Sequence, residues 1–383
     1  MKNRSRLARR YGGFSLVELM VALVLGLVLT YAMISVFLSS KTAFRRQEQL
    51  NSVQQGVRMA FEYLANDARM VGHLGCYTGR SSGFTNNLAA GVLATNYALG
   101  VEGYEYTNAT AGAYTLTGNS PNDDNTAAYW TLNTATGGVN TIPVTTIGGA
   151  SGITPGSDVL VVRTVAGKPV RLTADTTAAS TTASVENFAS AKCSDGSTDK
   201  VSGFCANSHA LLASCQSAGV FSVASIAGAN LTLSSAAGVV YPAATTEVFP
   251  MHTIVYYVKK SSSGTTTSLY RRTFDGDNAG GLEQELIEGV ENLQLRYGRD
   301  TSATPDGVVD DYVTANNVGN WSQVVAIRMS VLLRAADPVE GDVKVPTTGR
   351  VNDVTVTYPT TGSKYDRRVF TTTVAVRNKI TYF

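Results

Sequence analysis

The chain has 383 residues, enough for one large domain or two ordinary ones, and is 44% hydrophobic but only 16% charged, below the roughly 25% charged of an average globular protein. Its formal net charge is +2, yet Lys2, Arg4, Arg6, Arg9 and Arg10 all precede residue 14, and taking these five from the 31 Lys and Arg leaves 26 against 29 Asp and Glu. The body of the protein therefore lacks the basic footprint of a nucleic-acid binder, and no nucleic-acid partner is expected.

Leu19 to Leu38 is an uncharged apolar run of about twenty residues, the length a helix needs to cross a bilayer core. The positive charges before it belong on the cytoplasmic side, which puts the rest of the chain outside. An ordinary signal peptide carries a small-residue cleavage site beyond its apolar core, and the residues near Ser39-Ser40 offer none. Arg9-Arg10 invites a twin-arginine reading, but the residues that follow fit it poorly. Glu18 sits at the start of the apolar run, where a carboxylate costs about 2.5–3.5 kcal/mol in lipid, so something must offset it.

Beyond Lys41 the chain turns polar, while Leu50, Val53, Val57, Ala60 or Phe61, Leu64, Ala68 and Val71 recur at steps of three and four, the spacing of one helix face. No proline precedes Pro121, and Gly26 and Gly56 each cost a helix only about 1 kcal/mol relative to Ala. The pattern predicts one helix from Phe14 to about Val71, membrane-spanning first and then laying an apolar stripe on a head. A coiled-coil anchor is the competing reading of that stripe. Gly72 and Gly75 suit the helix stop.

The segment Gly13-Phe14-Ser15-Leu16-Val17-Glu18-Leu19 resembles the class III leader of type IV prepilins. The resemblance implies that prepilin peptidase cuts after Gly13 and methylates Phe14 as the new N-terminus. It also implies that Glu18 meets the N-terminal ammonium of a neighbouring subunit during filament assembly, an ion pair that in low dielectric offsets part of both desolvation penalties. Asp67-Ala68-Arg69-Met70-Val71-Gly72-His73-Leu74-Gly75-Cys76 is similar to the helix end of PilW-type minor pilins. So are Glu288-Gly289-Val290-Glu291-Asn292-Leu293, Tyr297-Gly298, Trp321-Ser322-Gln323-Val324-Val325-Ala326-Ile327-Arg328 and Phe370-Thr371-Thr372-Thr373-Val374-Ala375-Val376-Arg377-Asn378. The J-type pseudopilins of type II secretion are a more distant likeness, and the stretch 77–250 carries none of this resemblance.

Cys76, Cys193, Cys205 and Cys215 form an even set without a CxxC pair, and His73, His209 and His252 do not complete a zinc site. Two structural disulfides are expected in an exported protein. Three pairings are open, with preference for Cys76 bridging into the 193–215 loop and the other two clipping that loop.

From Tyr77 to about Ser157 the chain is rich in Gly, Asn, Thr and Ala and poor in charge, which suggests long loops with short strands. Strand signals follow in Asp158–Thr164 and His252–Lys260, with Ser268–Thr273 a hairpin partner across Ser261-Ser262-Ser263-Gly264. Alternation is clearest at Val325, Ile327, Met329, Val331 and Leu333, then at Phe370, Val374 and Val376. The expected fold is α+β and pilin-like: a leader over 1–13, a long N-terminal helix over 14–75 with its transmembrane part at 19–38, and a mostly antiparallel β-rich head over 76–383 with variable loops in 77–250.

No nucleophile elbow, P-loop, H-E-x-x-H or dinucleotide fingerprint occurs, so neither an enzyme nor a cofactor is expected. The loop holding Asp300, Asp306, Asp310 and Asp311 admits a calcium reading, but its spacing is not that of an EF-hand, Pro305 interrupts it, and Asp306-Gly307 is first a turn signal. By the resemblance the chain is a minor pilin, since major pilins are usually much smaller. Its implied partners are other minor pilins, the major pilin, a tip adhesin, prepilin peptidase and the inner-membrane assembly platform, with the head periplasmic before assembly and at the pilus tip after it. The rival readings are a J-type pseudopilin and, from another class, a surface- or DNA-binding module at the tip.

Overall fold

The computed structural model describes residues 13, 15–77, 83–89, 92–107, 113–116, 123–132, 142–196, 199–278, 280–339, 345–359 and 364–376. It divides into two compact units, 1–51 and 52–383. One helix, Leu16–Arg69, belongs to both. Among the described residues it is the one helix long and apolar enough to cross a membrane, with a mean hydropathy of 2.5 over its most apolar window. Leu16 through Leu38 present their apolar side chains on the surface of the first unit.

In the second unit the helix buries Val53, Val57, Ala60, Leu64, Ala65 and Ala68, one stripe at helical spacing. Ala60 is fully buried and Phe61 packs at the edge of the same core, so both residues of the sequence alternative contribute. The helix ends at Arg69, two residues before the expected Val71, and Val71 continues the core from the turn that follows.

The head is built on the long strand Glu247–Lys260, which pairs antiparallel with His209–Ala213, Val159–Val165, Val170–Arg171 and Thr267–Phe274. The hairpin to Thr267–Phe274 closes with Lys260 opposite Thr267. On one side the sheet continues through Val101–Tyr106 to Trp130–Thr131, and on the other through Ala218–Ala227 and Asn230–Leu233 to Thr182–Ser184. A second sheet runs Asp311–Val313, Val290–Arg299, Val324–Pro338, Tyr365–Ala375, all antiparallel. A small third sheet joins Thr348–Val351, Val354–Thr357 and Ala113–Thr115, the last pairing parallel.

The largest core lies between the helix stripe, one face of the first sheet and one face of the second. Leu160, Val162, Ile254, Tyr256 and Val258 point into it, as do Leu293, Leu295, Tyr297, Ile327, Met329 and Val331. The intervening residues Val159, Val161, Val255 and Tyr257 point to the opposite face, where Tyr104, Trp130, Ile142 and Ile147 cover them. A strand buried on both faces reads as a continuous apolar run, which is why Asp158–Thr164 and His252–Lys260 stood out without alternation. The surprise is the cover. It comes from the segment 77–157, which looked like loops because its large apolar residues are scattered singly through short elements.

Candidate functional site

The features bearing on function start at the helix N-terminus. Ser15 caps it: its Oγ accepts from the Glu18 backbone N–H at 3.4 Å, half of the Ser-x-x-Glu capping box. That pattern was readable in Ser15-Leu16-Val17-Glu18 and gives Glu18 a local duty, since a carboxylate in the first turn complements the helix dipole. Gly13 and Glu18 are exposed, and Phe14 lies outside the described residues.

At the other end, the Asp67–Cys76 segment locks the helix to the head. Asp67 accepts a hydrogen bond from the Tyr256 hydroxyl at 2.6 Å and pairs with Arg271 at 3.1 Å. Burial, with the Asp67 charge next, pushes the Tyr256 hydroxyl far above its ordinary value, so it remains a donor. The Met70 carbonyl accepts from the Thr164 hydroxyl at 3.0 Å, and the Gly72 N–H donates to the Arg163 carbonyl at 3.3 Å. Gly75 takes φ +62°, where a side chain is strained, and an added Cβ would stand 2.9 Å from the Phe249 ring. Cys76 then bridges to Cys215, and Cys193 to Cys205.

Beneath this exit lies a buried ion pair that the sequence did not reveal. Arg163 and Glu102 are 1% and 0% exposed and contact each other directly. Arg163 also donates to the carbonyls of Leu99 and Leu93 at 2.9 and 2.8 Å, which ties the 92–102 segment to the sheet. Burial of such a pair is tolerated because both terminal nitrogens of Arg163 find acceptors, while its Nε is left buried without a partner among the described residues.

The other residues singled out in the sequence are spread over the head. Glu291 pairs with Arg367 through two hydrogen bonds of 2.7 and 3.0 Å, joining strands of the second sheet. Trp321 stands edge-on to Tyr297 in the main core, 4.9 Å between ring centres. The acidic loop uses its carboxylates as turn formers: Asp300 accepts from the N–H groups of Ser302 and Gly307, Asp310 from Thr301, and Asp306 from Val308. Asp311 faces Arg299 instead. Among the described residues the one tight group of potential metal ligands is Cys193, Cys205 and Asp277, and its sulfurs are already bonded to each other.

His209 begins a core strand of the head, with its Nδ1 2.9 Å from the Tyr97 hydroxyl. Burial pulls its imidazole down to about 4, against the attraction of Asp275.

A long helix, apolar and exposed in its first part and clamped in its second to a mostly antiparallel β head, defines the class of type IV pilin-like proteins. Residues 255–378 match the family model described as Type IV Pilus-assembly protein W, and residues 8–34 match the prokaryotic N-terminal methylation motif. The two matches together cover about two fifths of the chain, and over those segments it is similar to PilW-type pilus-assembly proteins and carries the N-methylation signal. The first match begins within the central strand and takes in the whole second sheet. No curated protein and no solved structure matches the chain.

Proposed function

We propose that this minor pilin primes pilus assembly from the filament tip. In this reading prepilin peptidase cuts after Gly13 and methylates Phe14, which leaves a single-pass inner-membrane protein with its head in the periplasm. It then joins other minor pilins and a tip adhesin on the assembly platform, and the major pilin adds below them. Two disulfides in one head suit an oxidising compartment.

The observation that carries the proposal is the contrast along one helix. Its first part exposes every large apolar side chain, while its second part is fastened to the head by a buried stripe and an ion pair, with a disulfide just past its end. An apolar surface of that size in a subunit of a pilus family is a surface for lipid first and for neighbouring helices afterwards. The test is to count surface pili in a deletion strain, with and without a working retraction motor. Loss of pili that returns when retraction is blocked supports priming. Unchanged pili together with failed exoprotein secretion would sink it in favour of a pseudopilin.

A further inference from the structure

A cleft of ≈ 430 Å³ opens where the three sheets meet, within the size range of small-ligand sites. Its wall comes from Glu105 and Tyr106 in the Val101–Tyr106 strand, Tyr114 in the small sheet, Arg296 on the second sheet, the Asp353 turn and the Thr314–Asn317 turn. These groups are distant in sequence and are held in place from behind. Asp158 is buried and ties two walls together, accepting from the N–H groups of Tyr106 at 3.2 Å and Leu295 at 2.8 Å.

The polar groups are fixed in the same way. Arg296, only 6% exposed, donates from Nε to Asp353 at 3.2 Å and from Nη1 to the Leu295 carbonyl at 2.7 Å, and Nη1 stands 3.4 Å from Glu105. On the rim, the Thr314 hydroxyl bonds the Asn316 side chain, and the Asn317 amide donates to the same hydroxyl at 2.7 Å. The aromatic wall is equally set: Tyr106 stands edge-on to Tyr114 at 6.0 Å and to Trp130 at 5.2 Å. The Tyr114 ring lies so close over Gly156 that an added Cβ would meet it at 2.5 Å.

The signs of the charges select among ligand classes. An anion that reached Arg296 would meet Glu105 and Asp353, and a cation that reached those carboxylates would meet Arg296. A hydroxyl suits all of them, because it donates to a carboxylate and accepts from a guanidinium or an amide at once. A ring carrying several hydroxyls on its edge and C–H groups on its face also matches a tyrosine wall beside planar polar side chains. We propose that this cleft binds a neutral carbohydrate, as a mono- or disaccharide unit of a larger glycan. Burial supports it by pushing the Glu105 carboxyl up to about 7 against the pull of Arg296, so that near neutral pH its protonated share can donate to a hydroxyl while its ionised share accepts from one. Pre-set side chains lose little freedom on binding, which favours recognition of so polar a ligand.

The experiment is a glycan array probed with the full chain in a zwitterionic detergent that has no sugar head group, followed by calorimetric titration of the strongest neutral hit. The expected result is retention of neutral glycans, with affinity falling about tenfold or more in Tyr114→Ala, Arg296→Lys and Asn316→Ala. Asn316→Ala changes only the rim and keeps the test readable if Arg296→Lys fails to fold. The proposal is overturned if no glycan is retained, if only acidic glycans are, or if variants with unchanged melting bind as the parent does. Binding by the solubilised chain is read apart from pilus assembly, so it stands or falls independently of the priming reading.

Discussion

Two single residues carry consequences that can be measured directly. Glu18 costs about 2.5–3.5 kcal/mol wherever it meets lipid, and its exposed position in the first turn leaves it free to pair with a charge on another subunit. Glu18→Ala is therefore expected to be cleaved normally and to enter filaments poorly, which immunoblots of membrane and sheared-pilus fractions would reveal. Normal incorporation would remove the ion-pair argument. His209 makes a statement about stability. Free histidine titrates near 6.5, whereas burial holds this one at about 4, so between those values the unfolded chain binds a proton that the folded chain refuses. Stability is then complete above pH 6.5 and falls as pH drops toward 4, by on the order of 3 kcal/mol for a shift of this size. His252, pulled down to about 4 mainly by burial, adds to the same trend. His209→Gln is expected to flatten the acid side of the profile, seen by comparing urea midpoints at pH 7 and pH 4.5; an unchanged slope would refute the linkage.

At the scale of elements, the junction of helix and head is the part most open to test. Asp67 holds both the Tyr256 hydroxyl and Arg271, and hydrogen bonds to a charged group are worth about 1.5–3 kcal/mol. Asp67→Ala is expected to lower unfolding stability by about 2–3 kcal/mol, while Asp67→Glu, which retains the charge, recovers part of it. Urea denaturation followed by tyrosine fluorescence would measure both. The helix was legible in the sequence because its stripe repeats over several turns, and Leu64 and Ala68 fell where the spacing put them. The Glu247–Lys260 hairpin was legible from its β-branched and aromatic run with a Ser-Gly turn. The Val101–Tyr106 strand and the buried Trp130 were not, since each is a short piece in a polar stretch, made apolar in context only by the sheet it covers. The sugar-sized cleft was beyond reach for the same reason. Glu105, Tyr114, Arg296 and Asn316 come together only through pairings between distant strands.

For the molecule as a whole, the two disulfides do unequal work. Cys193 and Cys205 are 12 residues apart, Cys76 and Cys215 139, and a chain-entropy argument gives about 3 and about 5 kcal/mol for closing loops of those lengths. Replacing Cys76 and Cys215 together with Ser is thus expected to destabilise the protein by roughly 2 kcal/mol more than replacing Cys193 and Cys205, as judged from denaturation midpoints. Equal losses would mean that native contacts, and not the freedom of the unfolded chain, set the difference. The wider bond also has a mechanical meaning. Cys76 lies just past the helix, so any tension drawn through the helix reaches a covalent crossing before it reaches most of the head. Were the chain stretched by its two ends, the 139-residue separation between Cys76 and Cys215 would be bypassed, withholding roughly 490 Å of extension at about 3.5 Å per residue. The cleft wall carried by Glu105 and Tyr106 lies in that bypassed segment, which an end-to-end pull could not draw out while the bond holds.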